Sequence, residues 1–104
     1  MKAVAVHEHG GTENLVYHTD YEDPTPGPGD VVLRVKACSL NYHDIFTRNG
    51  MPGIKLSLPV IPGLDVAGEI AEVGPDVTDW KVGDRVLVDP LNRVEGGLQG
   101  ETYN

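Results

Sequence analysis

Short stretches of alternating apolar and polar residues, cut apart by glycine and proline, make up most of the chain. Alternation with period two puts successive side chains on opposite faces of a strand. Residues 2–8, KAVAVHE, set Ala3, Ala5 and His7 against Val4, Val6 and Glu8, and Gly10-Gly11 follows, which predicts a first strand. Residues 14–22, NLVYHTDYE, predict a second and more polar strand. The stretch DPTPGPGD then predicts a stiff surface turn, because proline has no N–H to give to a ladder. In DVVLRVKACSL, Val31, Leu33, Val35 and Ala37 fall on one face and Arg34 and Lys36 on the other, as in a strand with one buried face. Cys38, next in line, reads as a small core or cavity-lining residue.

The alternation stops at Leu40. Residues 42–49 predict about two helical turns, with Ile45 and Phe46 inward, Arg48 outward, and Gly50 and Pro52 as stops. GMPGIKLSLPVIPG reads as loop with short extended pieces. Residues 66–74, VAGEIAEVG, and 84–89, DRVLVD, predict a strand pair joined by PDVTDWKVG, in which Gly83 takes a turn position that wants positive φ. Trp80 is expected to plug one end of the fold beside Val82, and Gly63, Gly68 and Gly74 to meet backbone needs. The last stretch, PLNRVEGGLQGETYN, reads as loop. The expected fold is mainly β, with one or two short helices.

With 104 residues the chain has room for one domain with one core. A formal charge of −8 with only eight scattered Lys and Arg argues against nucleic acid and anionic membrane surfaces as partners. No apolar run approaches the ~20 residues that span a bilayer, and the start MKAVAVHEHG lacks a signal-peptide pattern, so a cytoplasmic setting is expected. The one cysteine excludes an internal disulfide and a Cys-x-x-Cys site.

The candidate chemistry lies where the third strand ends, at Asn41-Tyr42-His43-Asp44. Asn41 has the side chain of a helix N-cap, and Asp44 falls in the first turn, where a carboxylate favours the positive end of the helix dipole. Cap and ligand contact both remain open for Asn41. A surface histidine and a proton donor both remain open for His43, and the imidazole is the side chain suited to such work near neutral pH. His7 and His9, two apart on a strand, lack a third ligand in view, and no metal is expected there.

PGPGDVVLRVKACSLNYHD, VIPGLDVAGEIAEVGPDV and WKVGDRV follow one another in the order and spacing of the medium-chain dehydrogenase/reductase superfamily. Over roughly residues 1–90 the chain resembles the start of that superfamily's N-terminal, GroES-like catalytic domain. The resemblance implies a partly open β-barrel, normally followed by a Rossmann domain that binds NAD or NADPH. The Gly-x-Gly-x-x-Gly turn of such a domain is absent from these residues. Residues 1–104 are therefore expected to be an incomplete GroES-like domain, inactive alone, with NADPH or NADH bound mainly by another part of the full-length protein.

Within that resemblance, zinc-dependent alcohol dehydrogenases carry a Cys and a His ligand at the positions of Asn41 and Leu64. Leu has no donor atom and an amide is a poor zinc ligand, so the catalytic zinc is expected to be absent. The four-cysteine structural zinc lobe has no counterpart in residues 90–104. The combination of Asn41 with Gly63-Leu64-Asp65 is similar to the zinc-independent quinone oxidoreductase and enoyl reductase branch. That likeness implies hydride transfer from NADPH to a quinone or activated C=C, with an aldehyde or alcohol as a further substrate class. It places Asn41 beside the nicotinamide or substrate oxygen as a hydrogen-bond donor, Tyr42 where a pyrophosphate contact sits, and His43 where a proton relay carries a hydroxyl. Phe46 and Pro52 depart from the pattern, standing where relatives often carry tyrosines. The resemblance also implies a homodimer or tetramer for the full-length protein and a monomer for this segment. Two other readings are an alcohol dehydrogenase relative that has lost its metal, and a non-catalytic barrel used for binding or oligomer contact.

Overall fold

The computed structural model describes residues 1–90 and, for their backbone, residues 91, 92, 97 and 98. Strand β1 (Ala3–Val6) pairs antiparallel with β2 (Leu15–His18), with Ala3 opposite His18 and Val6 opposite Leu15. A three-residue 3₁₀ turn, Thr12–Asn14, leads into β2. The central sheet has the order β3 (Val31–Ser39), β4 (Asp65–Val73), β5 (Arg85–Leu87), antiparallel throughout. Helix α1 (Tyr42–Asn49) leaves the end of β3, with the bounds expected from its stop signals. Backbone bonds between Val6 and Val60, 2.8 and 3.0 Å, tie the first sheet to the loop before β4.

The predominance of strands agrees with the sequence pattern, but the described sheets remain open and do not close into a barrel. Strand β5 is only three residues long and, among the described residues, pairs with β4 alone. The segment expected to be a loop at the end contributes a short pair, β6 (Leu91–Asn92) with β7 (Gly97–Leu98). The rest of that segment, and with it the expected absence of a zinc lobe in residues 90–104, lies outside the described residues.

Burial follows β4 more closely than β3. Along β4, Val66, Gly68 and Ile70 are buried at every second position, the signature of one face against a core. In β3, Leu33 is half-buried but Val35 is 46% exposed, and Ala37 and Cys38 are exposed. The ladder has two register shifts, with Ala71 the extra residue in β4 and Lys36 the extra residue in β3, and from Arg34 onward β3 is exposed on both faces because no described element covers it. Cys38 is a free, exposed thiol and not a core residue.

Small residues allow the strands to approach. A Cβ on Gly68 would run into the Arg34 carbonyl, and one on Gly74 into the carbonyls of Gly27 and Asp30. Gly83 has φ +94° in the turn before β5, as the Lys-Val-Gly-Asp sequence predicts. Trp80 and Val82 do not plug anything in these residues: they are 50% and 63% exposed.

Helix α1 is held at both ends. Its C-terminal carbonyls of Thr47 and Arg48 accept from His9 Nδ1 at 3.1 and 3.3 Å, and the Arg48 carbonyl also accepts from the Gly10 N–H at 3.0 Å. Arg48 Nε donates back to the Gly10 carbonyl at 3.1 Å, so Arg48 is half-buried where an outward side chain was expected. Ile45 and Phe46, expected inward, are 40% and 49% exposed, and the buried residue of the helix is Thr47.

Candidate functional site

The site begins with a cross-strand pair. In the β3–β4 ladder Ser39 stands opposite Asp65, and the two sit where the strands leave the sheet, so their side chains meet at its end. Ser39 Oγ donates to Asp65 Oδ2 at 2.6 Å. Two residues on from Ser39, the Asn41 amide Nδ2 donates to the same Oδ2 at 2.8 Å. A carboxylate can only accept, so Asp65 decides which way the Asn41 amide points: its nitrogen faces Asp65. One amide hydrogen is thereby committed to Asp65.

Asn41 is also the N-cap of α1, in extended conformation. It faces Asp44 in the arrangement of a capping box. The Asp44 half is the well-formed bond, with Oδ2 accepting from the Asn41 N–H at 2.9 Å, while the Asp44 N–H goes to the Asn41 carbonyl at 3.0 Å. Cap and cluster are thus compatible: the backbone of Asn41 caps the helix while its amide belongs to Asp65. The other Asp44 oxygen, Oδ1, is buried without a partner.

The Ser39 hydroxyl and then the Asn41 amide hold the Asp65 carboxyl below the usual aspartate range, against a smaller opposing effect of desolvation. Asp65 is thus an anion in the neutral range, and its charge strengthens both bonds. Beside it a groove is lined by Cys38, Ser39, Asp65, Leu87 and Val88. Leu87 is 83% exposed and Leu40 92% exposed, so the cluster lies in an apolar surround open to solvent.

The remaining residues singled out from sequence are placed differently. Tyr42 is 77% exposed at the first position of α1. His43 is half-buried, its Nδ1 at 3.3 Å from the Thr47 hydroxyl, and it takes no part in the Ser39–Asp65–Asn41 cluster. Leu64 is buried at 8% exposure, packed with Val66 against Leu33 and Val88. Of the three site residues expected from sequence, only Asn41 enters the hydrogen-bonded cluster. Sequence reasoning missed Ser39 and Asp65. The signal available for Asp65 was a carboxylate placed directly after a buried leucine at the start of a strand, where the ladder ends and the side chain turns to solvent.

With this geometry in view, the chain's relationships are specific. The chain belongs to the alcohol dehydrogenase GroES-like domain family, whose model matches residues 27–103, and the resemblance carried by the three motifs is borne out. It is 42% identical over 97 residues to the quinone oxidoreductase of Lama guanicoe, a match covering 93% of this chain and 29% of that protein. Among solved structures, it superimposes with a TM-score of 0.74 and 31% identity on Escherichia coli quinone oxidoreductase complexed with NADPH, covering 84% of this chain and 26% of that one. It is also similar to a cobalt- and zinc-bound thermostable alcohol dehydrogenase from Pyrobaculum aerophilum, with 42% identity, a TM-score of 0.75, and coverage of 85% and 26%. The chain spans about 17–30% of the length of curated relatives such as these. Among the described residues no helix is long and apolar enough to cross a membrane.

Proposed function

We propose that residues 1–104 belong to the substrate-side domain of a zinc-independent, NAD(P)H-dependent reductase acting on quinones or enones. The observation that carries this reading is the fate of the two positions where zinc-using relatives place a thiolate and an imidazole. Leu64 is packed into the core and offers no donor atom, and the Asn41 amide is tied to Asp65. This donor set does not fit a catalytic zinc ion. It fits a neutral hydrogen-bonding site in which the protein supplies position and polarity.

In the full-length protein a dinucleotide-binding domain would hold most of the cofactor, and this segment alone would be inactive. When bound, NAD(P)H supplies the hydride. Asn41 presents its remaining amide hydrogen toward a ligand oxygen, in an orientation set by Asp65 and supported by Ser39. Tyr42, exposed on the first turn of α1, would contact the dinucleotide. The Nδ1 of His43 is engaged by Thr47, which leaves Nε2 as the nitrogen able to move a proton to or from a reduced substrate. A cytoplasmic setting and a homodimeric or tetrameric full-length protein complete the reading.

The test is NADPH oxidation by the full-length protein with 1,4-benzoquinone as acceptor, before and after exhaustive chelation, alongside metal analysis. Turnover that survives chelation, in protein free of stoichiometric zinc, supports the proposal. Stoichiometric zinc, or activity abolished by chelation and restored by zinc, overturns it.

A further inference from the structure

His7 follows the end of β1 and His18 closes β2, and their rings converge across the hairpin. The Nε2 atoms are 2.9 Å apart, with ring centroids at 5.0 Å and planes tilted by 58°. Tyr21 packs edge-on against the His18 ring at 5.2 Å, which restricts its orientation. The other two histidines are engaged elsewhere, His9 on the C-terminal carbonyls of α1 and His43 on Thr47. Only His7 and His18 aim nitrogens at each other.

We propose that His7 and His18 form a two-imidazole chelate for a divalent transition ion, Cu²⁺ or Ni²⁺, on the β1–β2 hairpin. In the metal-free pair one Nε2–H donates to the other Nε2. An ion displaces that hydrogen bond when the donor ring takes up the tautomer with its hydrogen on Nδ1, so that both Nε2 lone pairs are free to bind.

The donor type selects the kind of ion. The 2.9 Å separation is that of the N–H···N hydrogen bond in the metal-free pair. With metal–nitrogen distances of about 2.0–2.1 Å, two ligands of one ion lie about 2.9–3.3 Å apart, within reach of small ring rotations. Imidazole nitrogens suit Cu²⁺ and Ni²⁺, which stand highest in the divalent series, with water filling the remaining positions. Among the described residues no cluster of three or more His, Cys, Asp or Glu is poised for a metal, so the site has two protein donors.

The charge around the site favours a cation. Glu8 and Asp20 lie within two residues of the histidines in sequence and the chain carries a formal charge of −8, while the cations nearest His18 are Lys2, next to its partner Ala3, and the terminal ammonium, which is paired with Asp23. The inference is independent of the reductase reading, since these residues belong to the β1–β2 hairpin and Asn41 and Asp65 to the junction of β3, α1 and β4.

The test is titration of the 104-residue chain with CuCl₂ and NiCl₂, with electron paramagnetic resonance of the Cu²⁺ complex. Expected are one ion per chain, a two-nitrogen hyperfine pattern, and tighter binding of Cu²⁺ than of Ni²⁺. His7→Asn and His18→Asn should each weaken Cu²⁺ binding at least about tenfold, through loss of the chelate. Their double variant should lose the site. Wild-type Cu²⁺ affinity in either single variant, or a one-nitrogen pattern, overturns the proposal. If the variants fail to fold, paramagnetic broadening of the wild-type histidine resonances decides. Broadening centred on His7 and His18 supports the site, and broadening centred on His9 or His43 overturns it.

Discussion

Asp65 accepts the Asn41 side-chain amide at 2.8 Å, across the 24 residues that separate them. The ladder register makes this contact, because Ser39 opposite Asp65 brings the start of α1 beside the start of β4. The bond should be visible in solution. One proton of the Asn41 side-chain amide is held by a carboxylate, so its two proton resonances should be widely separated. In Asp65→Ala they should move toward each other, as followed by heteronuclear NMR.

The depressed pKa of Asp65 gives a pH dependence of definite sign. A carboxyl whose folded pKa lies below its unfolded value of about 3.9 contributes stability that is fully present above that value. The contribution is lost as the pH falls through the lower, folded pKa. Asp84 behaves alike, held down first by the Lys81 backbone N–H and, more weakly, by the Lys81 ammonium, against desolvation. Denaturant midpoints of wild type, Asp65→Asn and Asp84→Asn should differ by a constant amount from pH 7 to pH 5 and converge below about pH 4.

Gly74 is buried where the 27–30 turn meets the end of β4, and its N–H donates to the Asp30 carbonyl at 2.8 Å. Gly74→Ala should destabilise the chain by about 1–3 kcal/mol, because the added methyl meets backbone that can yield only by moving the turn. Thermal or urea unfolding measures this.

Arg48 ties the far end of α1 to the Gly10 loop. Arg48→Ala should cost about 1.5 kcal/mol through loss of its charge-assisted bond to the Gly10 carbonyl. Hydrogen exchange should quicken at the Gly10 and Gly50 amides, which bond to the Arg48 and Phe46 carbonyls.

Local features of the fold were legible in the sequence because local physics decides them. Asn41 and Gly50 bracket α1, Gly83 marks its turn, and the alternation of β4 matches its burial. Positions decided by distant partners were not legible. Val35, Ala37 and Cys38 lack their expected burial because no described element covers that part of β3, and alternation within a strand does not reveal what packs on it. Arg48 turned inward because a loop 38 residues earlier offered it a carbonyl. The candidate site divides in the same way. Asn41 stood out through its motif and its capping chemistry, whereas Ser39 and Asp65 gained their role only when the ladder register placed them opposite each other.

In the proposed reductase, catalysis runs through an Asn41 amide whose orientation Asp65 sets. The most direct measurement is a double-mutant cycle on kcat/KM for quinone reduction by the full-length protein, using Asn41→Ala, Asp65→Ala and the pair. Each single substitution should lower kcat/KM about ten- to a hundredfold, and the pair should fall no further than Asn41→Ala alone, because Asp65 acts through Asn41. Losses that multiply in the double variant, or an Asn41→Ala enzyme with wild-type kcat/KM, would contradict the account.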